Sequence, residues 1–240
     1  MSNKIVSILG CGWVGKALFD FLEKKTVLVH CLSRDVKNND KEKKYICDVL
    51  VIAIPPRDNY LEVIEKTLSR VGSSTQIILF SSISFYDGKS LVVEAEALLT
   101  QLHEERVILR LGGLMGYDRV AGKYTAGRVV DSDSGTNYVH RDDVVAIIGE
   151  IIRQKVVGEI FDIVAPIQST KREIFAQNAK IFCFANTEFL KDNRGGKELS
   201  PEKVCKHLGY TFKKENVDSF WDDKLDCIQK EKGENSPHHR

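Results

Sequence analysis

Lys4-Ile5-Val6-Ser7-Ile8-Leu9-Gly10-Cys11-Gly12-Trp13-Val14-Gly15-Lys16-Ala17-Leu18 is the stretch whose pattern decides the fold. Ile5, Val6, Ile8 and Leu9 make a short apolar run of the kind that fills a buried parallel strand, and the glycines follow without a spacer. Beyond them Val14, Ala17, Leu18, Phe21 and Leu22 recur at helical spacing, with Lys16, Asp20, Glu23 and Lys24 on the opposite side. Strand, glycine turn and amphipathic helix thus arrive in the order that a dinucleotide-binding unit requires.

In Gly-x-Gly-x-x-Gly each glycine has its own steric task. Gly10 permits a tight turn, Gly12 lets a pyrophosphate approach the backbone, and Gly15 lets the helix pack closely. The helix start at Trp13 and Val14 then offers backbone N–H groups and the positive end of a dipole to the phosphates.

The chain has 240 residues, enough for one large α/β domain with a small addition, and a formal charge of +1, which gives no global field to recruit nucleic acid or an anionic membrane. Its apolar runs are of strand length, short of the roughly 20 residues that a membrane span needs. Only Met1-Ser2-Asn3-Lys4 precedes the glycine strand, so the expected location is the cytoplasm and the expected partner a small molecule. The six cysteines, Cys11, Cys31, Cys47, Cys183, Cys205 and Cys227, show neither Cys-x-x-Cys nor a histidine at zinc spacing, which argues against a metal site or a disulfide framework. Cys11 reads as a small residue that fits the turn, with redox sensitivity as the alternative. No repeat of solenoid or propeller period is present.

Val27 to Leu32 is a second strand, and its tip reads Ser33-Arg34-Asp35. An acidic residue there suits the ribose hydroxyl of NAD, whereas a small residue followed by arginine suits the 2′-phosphate of NADP. Ser33 and Arg34 favour NADP, and Asp35 keeps NAD open. Residues 36 to 44 are almost without apolar side chains, so the sheet edge is expected to be abbreviated. Asp48 to Ile54 is the next strand, stopped by Pro55-Pro56, and puts Ala53 and Pro55 on the cofactor side. Tyr60, Leu61, Ile64, Leu68 and Val71 then line a helix.

Gln76 to Phe80 is a buried strand ending in Ser81-Ser82-Ile83-Ser84-Phe85-Tyr86, a cluster of hydroxyls at the ligand-facing edge, with Ser81 expected beside cofactor and Ser84 beside substrate. A helix from Val92 to Leu102, a strand from Val107 to Leu111 and a glycine-rich loop from Gly112 to Gly135 follow. Asn137-Tyr138-Val139-His140-Arg141-Asp142-Asp143 opens a helix carrying Val144, Ile147, Ile148, Ile151 and Ile152, with Asp142 or Asp143 as its N-cap. Strand follows helix throughout, which implies an α/β fold of Rossmann type with a doubly wound parallel sheet.

Past Gly158, Ile160 to Val164 is one more strand. Thr170-Lys171-Arg172-Glu173 is a capping box, Ser200-Pro201 opens a short helix closed by Gly209, and Val217, Phe220, Trp221, Leu225 and Ile228 line a last helix with Trp221 in the core. The expected division is a dinucleotide-binding domain over 1–165, a small α+β lobe without its own strand series over 166–228, and a polar tail over 229–240 in which His238-His239 has no ligand role.

With these pieces in order the sequence resembles the extended short-chain dehydrogenase/reductase family, in its atypical, NAD-dependent epimerase/dehydratase-like branch. The motifs that carry the resemblance are Gly10 to Gly15, Ser81 to Tyr86, Leu109-Arg-Leu-Gly-Gly-Leu-Met-Gly116, Asn137 to Asp143, and Gly158-Glu-Ile-Phe-Asp-Ile-Val164. The resemblance implies NAD(P) as cofactor, a serine at the position of Ser82, and a Tyr-x-x-x-Lys pair in which lysine lowers the tyrosine pKa for proton exchange. That pair is missing. Tyr210 alone has a lysine at the right offset, Lys214, and it lies in the distal lobe, while the segment between Tyr86 and Glu94 is too short to hold the pair.

Function therefore reads in two ways. The first is an oxidoreductase, epimerase or dehydratase-like enzyme on a small carbonyl or nucleotide-sugar substrate, in which Tyr86 or His140 joins Ser82 in acid–base work, and Arg128 and Tyr138 bind substrate. The second is a non-catalytic NAD(P)-binding sensor or regulatory module. The surviving pocket motifs favour the first.

Overall fold

The computed structural model describes residues 4–25, 28–32, 43–133, 136–191 and 197–221. Its strands are β1 (Ile5–Leu9), β2 (Leu28–Leu32), β3 (Val49–Ile52), β4 (Gln76–Ser82), β5 (Arg106–Leu111), β6 (Gly113–Met115), β7 (Val129–Ser132), β8 (Tyr138–His140), β9 (Glu159–Ile163) and β10 (Glu188–Lys191). Its helices are α1 (Trp13–Glu23), α2 (Tyr60–Leu68), α3 (Ser90–Leu102), α4 (Arg141–Gln154), α5 (Lys171–Phe182) and α6 (Glu202–Leu208).

Among the described residues six strands form one sheet in the order β2-β1-β3-β4-β5-β9, parallel at every pairing. The chain runs outward from β1 to β2, returns across β1 to β3, and then proceeds the other way. Its direction of winding reverses between β1 and β3, so the tips of these two strands flank the crevice where α/β sheets hold ligands. Val49, Leu50, Val51 and Ile52 are all at 0% exposure, the continuous burial of an inner parallel strand covered on both faces. Among the described residues β2 lies at one edge of this sheet, and most of the polar stretch after it, residues 33–42, lies outside them.

Strand alternation sends neighbouring residues to opposite faces. Leu9, Leu50, Ile52, Leu79 and Ile108 share a cluster with Tyr60, Ile64 and Leu68 of α2 and Ala95 and Leu99 of α3. Ile8 meets Gly15 of α1 instead, and α1 packs on α4 closely enough that a Cβ on Gly149 would lie 2.6 Å from the Phe21 ring. Helices therefore cover both faces, and the sheet is doubly wound.

The chain separates into two compact units. The first comprises residues 1–112, 141–164 and 201–211, and the second residues 113–140, 165–200 and 212–240, over their described parts. One crossing, at 164/165, adjoins the break expected after 165, but the second unit also takes the segment before α4, and the first takes α6. In the second unit β6 pairs with β8 and β7 with β10, both parallel, so the expected loop from 112 to 135 contains two strands and the distal segment supplies a third. These strands escape a sequence reading because each has only three or four residues and its partner lies far along the chain.

Thr170 and Glu173 form the expected capping box at α5, and Gly209 ends α6 with φ +62°, while Pro201 is the residue that caps α6. α4 begins at Arg141, which puts Asp142 and Asp143 inside its first turn and not at its cap. The last expected helix is a 3-10 turn, Val217–Phe220, as far as it is described; Leu225, Ile228, His238 and His239 lie outside the described residues. Trp221 is buried against Phe182 and Phe220 and donates to the Arg119 carbonyl at 3.3 Å, a core role as expected. Among the described residues no helix is long and apolar enough to cross a membrane.

Candidate functional site

The glycine turn divides its steric tasks as the spacing predicts. Gly10 has φ +99°, and a Cβ there would fall 2.8 Å from Ile54 and 2.9 Å from the Ala53 carbonyl oxygen. Its N–H donates to the Leu32 carbonyl at 3.0 Å, and Ala53 N–H donates to the Leu9 carbonyl at 2.8 Å, which ties the turn to the tips of β2 and β3. A Cβ on Gly15 would collide with the Gly10 carbonyl.

Gly12 differs from both. A Cβ there would meet nothing within 4 Å, the residue is exposed, and it caps α1 with no side-chain hydrogen bond. The first turn of α1 carries no acidic side chain. An open backbone face at the positive end of an eleven-residue helix is the cradle a diphosphate needs, and these residues fit one. Trp13 lies half-buried at the start of α1 with the Arg141 guanidinium 4.8 Å from its ring centre. Sequence reading missed this cation, because α4 reaches α1 only through the fold. Ala53 is half-buried and Pro55 exposed at the tip of β3, while Ser33 and Arg34 lie outside the described residues.

The expectation against a disulfide framework is corrected at one pair. Cys11 and Cys31 are joined, with Cα atoms 5.9 Å apart and a separation of 20 positions in sequence. Linear spacing conceals the pair, because it is the β1-α1-β2 crossover that returns β2 to the turn.

At the tips of β4, β5 and β9 the hydroxyl cluster joins a polar ladder. Ser82 accepts hydrogen bonds from the N–H and the hydroxyl of Ser84, at 3.2 and 3.0 Å, and so caps the 3-10 turn Ile83–Asp87. Ser81 donates to Glu96 of α3, and Arg110 of β5 donates to both oxygens of the same carboxylate, through Nε at 3.0 Å and Nη2 at 2.7 Å. The Glu96 and Arg110 side chains are 5% and 12% exposed. Burial works against the guanidinium charge, but the bonds to Glu96 and Tyr86 outweigh it and hold Arg110 above its usual pKa.

Arg110 also stacks 3.5 Å from the Phe85 ring centre and donates to the Tyr86 oxygen at 3.1 Å. The Tyr86 hydroxyl donates to Asp162 of β9 at 2.8 Å. Burial and then the Asp162 carboxylate push the phenol pKa up, and Arg110 offsets this only in part. In sequence Arg110 counts only as part of a retained pocket motif, and Glu96 and Asp162 have no assigned role, since a charge within a strand or helix carries no signal until its partner is in place. Tyr210, the tyrosine followed by a lysine at the family's spacing, donates to Asp143 at 2.6 Å, and burial together with that carboxylate raises its pKa.

The remaining candidates belong to the second unit. His140, 3% exposed, lies between the rings of Tyr117 and Phe220 at 5.4 and 5.5 Å, and a Cβ on Gly116 would strike its Nε2. Tyr138 pairs with Gly113, whose missing side chain makes room for the ring, and burial raises its phenol pKa. Arg128 is exposed at the start of β7, and its carbonyl accepts from Glu188 N–H at 3.0 Å.

No family model matches the chain. It is 26% identical to Protein YeeZ of Escherichia coli K12 over 204 residues, covering 73% of this chain and 74% of that protein. A short-chain dehydrogenase/reductase superfamily protein from Agrobacterium tumefaciens, solved with bound NAD, superposes with a TM-score of 0.73 at 11% identity, over 96% of this chain and 98% of that one. Human epimerase family protein SDR39U1 (isoform 2), solved with NADPH, gives 0.70 at 15% identity, over 94% and 99%. A six-stranded parallel sheet wound about an amino-terminal glycine turn thus gives this chain the fold of the short-chain dehydrogenase/reductase and epimerase proteins.

Proposed function

We propose that the chain is an NAD(P)-dependent enzyme of oxidoreductase or epimerase/dehydratase type, acting on a small carbonyl compound or nucleotide sugar, with NADP favoured over NAD. The observation that carries the reading is the open face at Gly12, at the head of α1 and beside the point where the sheet reverses its winding. When bound, the nicotinamide supplies hydride exchange. Gly10, Gly12, Trp13, Val14 and Gly15 hold the diphosphate, Ala53 and Pro55 line the cofactor side, and Ser33 and Arg34 take the 2′-phosphate. Titration with NAD, NADH, NADP and NADPH, followed by a screen of carbonyl compounds and nucleotide sugars for NAD(P)H oxidation, tests the proposal. Indifference to all four nucleotides would remove it. Arg34→Ala should weaken NADP roughly tenfold more than NAD, the discrimination expected of one lost charge-assisted contact. Equal weakening of both by calorimetry would remove the 2′-phosphate assignment.

Among the residues proposed for acid–base work, Tyr86 is the one whose phenol is within reach of solvent, at 37% exposure. Its raised pKa keeps it a proton donor at neutral pH, and Arg110 stands ready to balance the negative charge left after donation. Ser82 already caps a turn, and His140 is enclosed by aromatic rings, which supports positioning roles for both. Tyr86→Phe should lower turnover by about 100-fold while leaving nucleotide affinity unchanged. Because the phenol is the competent form for carbonyl reduction, the rate should show no alkaline fall until above the ordinary tyrosine pKa of about 10. A limb near neutrality would assign the proton to another group.

A second reading, a non-catalytic NAD(P)-binding module, is favoured by one observation: Tyr86 and Tyr210 each donate to a carboxylate. Nucleotide binding with no turnover across the screen would select it.

A further inference from the structure

We infer that Cys11 and Cys31 form a reversible thiol–disulfide site that sets how tightly the amino-terminal turn holds a dinucleotide, with the disulfide as the tight-binding form. The inference rests on the reading of that turn as a diphosphate cradle.

Cys11 stands between Gly10 and Gly12, immediately ahead of α1, and Cys31 is the penultimate residue of β2, in register with Ile8 of β1. Their Cα separation of 5.9 Å is ordinary for a cystine. The bond closes a loop that contains the whole of α1, and so links the turn expected to hold the pyrophosphate to the strand whose tip is expected to hold the ribose. Without it, the hydrogen bond from Gly10 N–H to the Leu32 carbonyl ties this turn to β2, and the next glycine, Gly12, has nothing packed where a side chain would be. A flexible turn loses conformational freedom when it closes on a ligand. A turn already fixed by a covalent tie loses less, so its affinity is higher.

The position also suits chemistry. Cys31 is exposed and Cys11 half-buried, so small reagents reach the bond, and accessible disulfides are the labile kind. With the bond open, Cys11, one residue ahead of the Gly12 cap of α1, is taken as the attacking sulfur. A peroxide converts the Cys11 thiolate to a sulfenic acid with loss of one water or alcohol. The Cys31 thiol then displaces the sulfenic oxygen as water and forms the S–S bond, so two thiols are oxidised as one peroxide is reduced. A dithiol reductant reverses the change by exchange and leaves as its own cyclic disulfide. By linkage, a nucleotide that prefers the disulfide form also makes that form harder to reduce.

The experiment titrates NADP and NAD into the whole chain after treatment with hydrogen peroxide or dithiothreitol, with peptide mass mapping of alkylated cysteines in parallel and in the absence of nucleotide. The expected result is affinity roughly three- to tenfold weaker in the reduced protein. Cys31→Ser and Cys11→Ser/Cys31→Ser should bind as the reduced protein does and ignore both reagents. Equal affinity in the two forms, tighter binding after reduction, or a pair that neither reagent interconverts would each overturn the inference. Absence of binding in both forms would overturn the cradle reading and, with it, the link to affinity. The alkylation map separates that failure from failure of the redox pair itself.

Discussion

Gly12→Leu should abolish measurable dinucleotide binding, weakening it by at least about 100-fold, or ~2.7 kcal/mol, while the protein stays folded. Nothing lies within 4 Å of the added Cβ and φ is −81°, outside the left-handed region, so a side chain can leave the backbone here without strain. Replacing the glycine of this helix cap by leucine, a poor capping residue, costs on the order of 1 kcal/mol, too little to unfold the chain. On the proposed reading, what it fills is the space through which a diphosphate comes. Gly15→Val is the complementary control, because its side chain drives into the Gly10 carbonyl and should cost stability in the range of about 1–3 kcal/mol. Calorimetry and thermal denaturation on the two variants separate a ligand cradle from a packing requirement. Unaltered NADP affinity in Gly12→Leu would sink the cradle.

Glu96→Ala should be the most destabilising single change in the polar ladder. It strands the Arg110 guanidinium, 12% exposed, and removes the acceptor of the Ser81 hydroxyl. Removing one partner of a buried ion pair typically costs about 3–5 kcal/mol, on the order of a 10 °C fall in Tm for a chain of this size. The pair itself contributes much less than that, because both charges had to leave water. Replacing both members, as in Glu96→Leu/Arg110→Met, should therefore recover most of the loss. A Glu96→Ala protein within about 1 kcal/mol of the parent in urea unfolding would show that solvent reaches Arg110 more freely than the geometry indicates.

Local chemistry accounts for what the sequence disclosed. A strand, glycine turn and helix are specified within the span from Ile5 to Glu23, and the fully apolar β3 declares its burial by composition alone. The capping box at Thr170 is likewise short-range. What stayed hidden was made by distant partners. Tyr86 meets Asp162 across 76 residues, β7 meets β10 across two strands and two helices, and Cys11 meets Cys31 because an intervening helix turns the chain back. Each of these residue types is unremarkable in its own window, and only the register of the parallel strands, such as Arg110 opposite Asp162, brings them together.

The interleaving of the two units limits how this protein can be dissected or rebuilt. A fragment ending at 165 forfeits both β10, the partner of β7, and α6, whose Lys203 reaches Glu159 on β9. No single cut yields either unit intact, so limited proteolysis should not release a stable half. Inheritance faces the same constraint: new substrate ranges can arise here through point changes and loop insertions, but not through exchange of one contiguous cassette.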